Sequence, residues 1–152
     1  MKKACLFALL SVWFCTAGQA QDIVGRWKTI SNIAENTDGS SKDLRLMQLK
    51  LWPCMADIET VFEAGGKQYT KSGKKCGMID YNKLGNATWK MNGNIISITA
   101  DAAMSNPLGS TATYVVTAVN NTAIFTHVYT AAEKIALHNT KIKKVTITYK
   151  KV

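Results

Sequence analysis

Ala87-Thr88-Trp89-Lys90-Met91-Asn92-Gly93-Asn94-Ile95-Ile96-Ser97-Ile98 is the stretch that decides the fold class. Asn-Gly is the preferred pair for a type I′ turn, which needs a positive φ at both loop positions. A turn on Asn92-Gly93 sets Trp89 across from Ile96 and Ala87 across from Ile98, while Thr88 meets Ser97 on the other face. Side chains alternate along a strand, so the turn chemistry and the hydrophobic alternation agree on one hairpin independently. The chain reads as antiparallel β around an apolar face.

Two further hairpins flank it. Upstream, the strand-like run from Ile58 to Thr70 is broken by Gly65-Gly66. A two-residue loop there pairs Phe62 with Tyr69 and puts Ile58, Thr60, Phe62 and Tyr69 on the core side, with Glu59 and Glu63 toward solvent. Cys54 and Cys76 bracket this hairpin one residue out of that register, and a bulge or turn near Pro53 would let them form a disulfide. Downstream, Thr111–Val119 and Thr122–Thr130 flank Asn120-Asn121. Pairing about that turn puts Val116 with Phe125, Tyr114 with His127 and Ala112 with Tyr129 on one inward face.

The remaining segments are plainer. Ile23–Ile30 fits a first strand carrying Gly25-Arg26-Trp27, in which the indole can plug one end of a core. Ser31–Asp43 collects Ser, Asn, Asp and Gly and reads as an exposed loop. Leu44–Trp52 alternates imperfectly; we read it as a strand ended by Pro53, with a helix as the alternative. Gly77–Gly85 and Ala100–Ser110 read as loops. Thr130-Ala131-Ala132-Glu133 has the form of a capping box, so a two-turn helix or a strand extension follows it. Lys141–Val152 is a terminal strand with a basic outer edge, which would discourage pairing with another chain.

The first 20 residues have the form of a secretory signal peptide. Lys2 and Lys3 precede an apolar run from Cys5 to Phe14, and Ala17-Gly18-Gln19-Ala20 supplies small residues for a cut before Gln21. The apolar run is too short to span a membrane. Cys15 raises lipidation, but the bulky Phe14 before it argues against that processing. The domain is then 21–152, one core's worth of chain, exported to the periplasm or outside the cell, where a disulfide persists. The formal charge of the whole chain is +9. Lysines interleaved with β-formers in an exported protein read as a solvated face rather than a nucleic-acid surface.

Ile23-Val24-Gly25-Arg26-Trp27-Lys28 at the start of the domain, Cys54 with Asp57 and Phe62 before a glycine turn, Tyr69, Cys76 and Trp89-Lys90-Met91-Asn92-Gly93-Asn94 together resemble the bacterial lipocalin-like proteins. The resemblance implies an all-β antiparallel meander barrel of about eight strands whose interior holds one small molecule, with one short helix before the last strand as an option. It also implies a basic side chain from the final strand over the Trp of Gly-x-Trp. The only arginines are Arg26 and Arg45, so a lysine such as Lys143 or Lys144 would take that place.

Titratable groups with catalytic spacing are scarce. His127 and His138 are the only histidines and match no metal motif. No mature free cysteine remains, and no serine sits in a nucleophile elbow. The chain reads as a non-enzyme without cofactor or metal. Tyr114, His127 and Tyr129 are the residues expected to orient a mostly apolar ligand, with Trp89, Phe62, Tyr69 and Phe125 as the wall. The alternative is an envelope interaction or inhibitor module with a filled core, acting through surface loops such as Ser31–Asp43 or Ala100–Ser110.

Overall fold

The computed structural model describes residues 23–78, 80–83, 85–101 and 110–152. The signal peptide, Cys15 and most of the Ala100–Ser110 loop lie outside the described residues.

Nine antiparallel strands follow one another: β1 Gly25–Asn36, β2 Ser41–Asp43, β3 Glu59–Phe62, β4 Lys67–Lys71, β5 Ala87–Asn92, β6 Ile95–Ala100, β7 Thr111–Val119, β8 Thr122–Val128 and β9 Ile142–Lys151. Each strand from β3 to β9 pairs with the next, and β9 returns to pair with β1. Eight strands therefore close into a barrel, and β2 is an extra strand beside the upper part of β1. Two short helices complete the chain, α1 Leu44–Leu51 and α2 Ala131–Ala136. Tight turns at 64–66, 93–94 and 120–121 gather at the end where β1 begins, and the long connections lie at the opposite end.

Bulky inward side chains fill the centre. Ile23, Trp27, Phe62, Trp89, Ile96, Val116, Ala123 and Phe125 form one buried cluster. Phe125 sits among Phe62, Tyr114 and Tyr149, with ring centroids 5.7, 6.0 and 5.0 Å away. Trp27 closes the turn end, its indole N–H donating to Ile23 O at 2.7 Å. The cation over Trp27 is Lys151, 5.3 Å from the ring, and not Lys143 or Lys144, which both pair with Glu35 at 3.0 Å. Glycine is required at position 25 because a Cβ there would meet Lys151 Cε at 3.0 Å.

Several sequence-based expectations change in detail. In the upstream hairpin the loop is three residues, Ala64 to Gly66. Gly66 N–H donates to Glu63 O at 3.0 Å and Glu63 N–H to Lys67 O at 2.9 Å. Gly66, at φ +79°, supplies the left-handed position that such a loop needs. Phe62 then faces Gln68 and Tyr69 faces Val61, which turns Tyr69 away from Phe62 to the outer face. Cys54 and Cys76 fall opposite each other on the same register, and they form the disulfide with Cα atoms 5.4 Å apart and no bulge needed. The 87–98 hairpin turns on Gly93-Asn94 rather than Asn92-Gly93. Gly93, with φ +59°, takes the first loop position, so Trp89 pairs with Ile98 and Met91 with Ile96, and the inward faces are unchanged. The Asn120-Asn121 turn and its register are as read.

The stretch read as a loop, Ser31–Asp43, is mostly strand. β1 continues to Asn36 because β9 supplies backbone partners as far as Ile142, with a bulge that leaves Ile30 exposed. Leu44–Leu51 is helix and not strand: Asp43 Oδ1 accepts from the N–H groups of Arg45 and Leu46, capping a run of Leu, Arg, Met, Gln and Lys. The terminal strand has no free edge, since β9 pairs with both β8 and β1.

On the outer face, Arg26 grips Glu59 with two hydrogen bonds, 2.7 and 3.0 Å. Those bonds hold the Glu59 carboxyl below its ordinary value, outweighing burial, which pushes it up. A depressed folded-state pKa means that this stabilisation is complete above the unfolded value of about 4.3 and is lost as pH falls through the folded one. Glu59→Gln should therefore lower the thermal midpoint at pH 7, and the gap from wild type should close by about pH 3. A gap of equal size at both pH values would refute the assignment.

Candidate functional site

Two concavities open near the end with the long connections. The first is framed by the inward faces of β4 to β7 and β9. Pairing between β4 and β5 lasts only two residue pairs, Lys67 with Thr88 and Gln68 with Ala87. Beyond it, Ala87 faces Ala100 and Ile98 faces Ala112. Three alanines on the inward faces of three neighbouring strands leave volume that larger side chains would have filled. The result is a pocket of about 230 Å³ lined by Gln68, Asn86, Ala87, Ile98, Ala112, Tyr114 and Tyr149 among others. Its polar groups are the Gln68 and Asn86 amides and two phenols. Burial pushes both phenols up from their ordinary value, so they stay protonated at neutral pH. The Tyr149 hydroxyl is engaged with Thr60 and Thr29.

The second concavity, about 300 Å³, lies between the outer faces of β6 to β8 and the start of α2, with Ile95, Thr113, Val115, Thr126 and Val128 around His127 and Glu133. The capping box builds this corner. Thr130 Oγ1 receives the Glu133 N–H at 3.3 Å, and Glu133 Oε2 receives the Thr130 N–H at 2.7 Å. Glu133 is thereby presented to His127, with Oε1 3.0 Å from Nε2. The other ring nitrogen, Nδ1, lies 2.6 Å from Thr113 O. Both nitrogens of His127 face oxygen acceptors, which leaves neither free to take a proton from a substrate. Burial pulls the Glu133 carboxyl up, but the Thr130 amide and hydroxyl and His127 together hold it below its ordinary value.

Tyr114, His127 and Tyr129 do come together, with ring centroids 5.7 Å apart for Tyr114–His127 and 4.7 Å for His127–Tyr129. They do not all share one cavity: Tyr114 borders both, His127 only the outer one. Trp89, Phe62 and Phe125 are packed into the core and support the pocket from beneath rather than lining it, Phe125 touching both Tyr114 and Tyr149. Trp89 donates its indole N–H to Lys67 O at 3.0 Å. Tyr69 borders a separate outer depression with Lys67, Thr88 and Asp101. Sequence reasoning missed Ala87, Ala100, Ala112, Tyr149 and Gln68. The signal was there in the small residues at inward positions of otherwise bulky strands.

No protein-family model, no curated protein and no solved structure matches this chain.

Proposed function

We propose that this chain is an exported, lipocalin-like barrel that binds one small, mostly apolar molecule in the pocket between Tyr114 and Tyr149. The observation that carries this reading is the asymmetry of the two ends. One is sealed by Trp27 and Lys151, while at the other the alanines leave about 230 Å³ beside two phenols and an amide. A dry cavity of about 150 Å³ accepts benzene, so the pocket suits a single ring with a short polar substituent. The ring would lie against Ile98 and the tyrosines, and the substituent would reach Gln68 or the Tyr114 hydroxyl. The role is binding rather than catalysis, given the full engagement of His127. The disulfide fits an oxidising compartment. Among the described residues no helix is long and apolar enough to cross a membrane.

Native mass spectrometry of the exported protein tests for a retained molecule, and saturation-transfer NMR with p-cresol tests the pocket directly. Ala112→Phe should fill the pocket and abolish the p-cresol signal while costing about 1–3 kcal/mol of stability. An unchanged signal in that variant would refute the site. The ring-packed centre favours a second reading, in which the barrel is a solid scaffold that meets a protein through its loops. In that case no p-cresol signal appears in the wild type either.

A further inference from the structure

Helix α1 is built inside out. Its arginine, Arg45, is 5 % exposed and donates from Nη2 to Met55 O at 2.7 Å. Leu46, Met47 and Leu51 stand out in water at 58, 44 and 66 % exposure. Residues three and four apart share a helix face, so Leu46, Met47, Lys50 and Leu51 form one stripe. Burying a leucine would have cost less than burying a guanidinium. The arrangement therefore points to an apolar surface outside the molecule rather than to the core.

The stripe continues past the helix. Trp52 is exposed and lies two residues before Cys54, and Met78, also exposed, lies two residues after Cys76. The disulfide thus sets Met78 beside the end of α1. Exposed Lys74 and Lys75 come with it, and Lys42 and Lys50 flank the helix itself. The exposed acidic residue in the connecting turn is Asp57. An apolar stripe with a Trp, rimmed by lysines, is the composition of a segment that lies in the headgroup boundary of an anionic bilayer. At eight residues α1 is too short to span one.

We propose that this face docks on an anionic lipid surface. Leu46, Met47, Leu51, Trp52 and Met78 enter the acyl boundary, and Lys50, Lys74 and Lys75 meet the headgroups. Charge complementarity selects this occupant over a neutral apolar partner, since each lysine near an anionic surface contributes about 1 kcal/mol, a factor of about five in affinity.

The exported protein, disulfide intact, is sedimented with vesicles of phosphatidylcholine alone or mixed with phosphatidylglycerol, and variants carrying the same N-terminus are compared. Wild type should bind the mixed vesicles, weaken with added salt, and show a blue shift in Trp52 emission that Trp52→Phe removes. Lys50→Glu/Lys74→Glu/Lys75→Glu should bind at least about 100-fold more weakly, and Leu51→Ser/Trp52→Ser should bind more weakly than wild type at every salt concentration. All these positions are exposed, so folding is retained and is checked by the unfolding midpoint. Equal binding to both vesicle types, or binding unaffected by the charge reversals, overturns the proposal. So does a wild-type dimer in sedimentation velocity that Leu51→Ser dissolves, because the face would then be covered by a second copy.

Discussion

Phe125→Ala will lower the free energy of unfolding by about 3–5 kcal/mol, read from urea denaturation with an unchanged slope. The ring is 2 % exposed and meets Phe62, Tyr114 and Tyr149 at once. Its removal loses both the transfer free energy of the ring and its contacts with three neighbours that cannot all collapse into the space. Aromatic pairs of this tilted and edge-on kind add about 0.5–1.5 kcal/mol beyond area alone. A single domain has about 5–15 kcal/mol in total, so this one side chain accounts for much of it. A loss below about 1 kcal/mol would mean that the barrel centre is not packed as described.

Removing the disulfide by Cys54→Ser/Cys76→Ser, or reducing it, should cost about 3 kcal/mol, the loop-closure entropy for 22 residues of separation. The bridge ties the 3-10 turn Pro53–Asp57 to the segment after β4. That segment carries few backbone pairs of its own and is held mainly by side chains. Ser72 N–H donates to Asn82 Oδ1 at 2.9 Å, and the Thr70 hydroxyl donates to Tyr81 O. Without the bridge it should exchange its amide hydrogens faster, while β7 to β9 keep their protection. Hydrogen exchange with and without reductant checks this. Uniform loss of protection across the barrel would show instead that the bridge supports the whole fold.

The barrel was legible in the sequence wherever turn chemistry and alternation spoke together. Asn120-Asn121 between two long alternating runs fixed both the register and the inward face of β7 and β8. At Gly93 the turn was misplaced by one residue, yet the faces survived because the pairing moved by two and side chains repeat every two. The Gly65-Gly66 loop was longer by one, which moved the pairing by one and sent Tyr69 to the opposite face. Helix α1 was hidden by its own exterior: leucines at water-facing positions mimic a half-buried strand, and the informative residue was the cap, Asp43. Ser31 to Asn36 looked like a loop because that part of β1 is polar although paired on β9. The pocket was the hardest to see, since it is made by what alanine lacks.

The strand that shuts the barrel is also the last one made. β1 starts at Gly25, and its partner β9 ends at Lys151, where Val152 N–H still donates to Arg26 O at 2.9 Å. No cylinder can exist until nearly the final residue has left the ribosome or the export channel. Until then β1 is an open template, so assembly falls after synthesis and runs at the slow pace of long-range strand pairing. The cell must keep the unfinished chain apart from its neighbours for that interval.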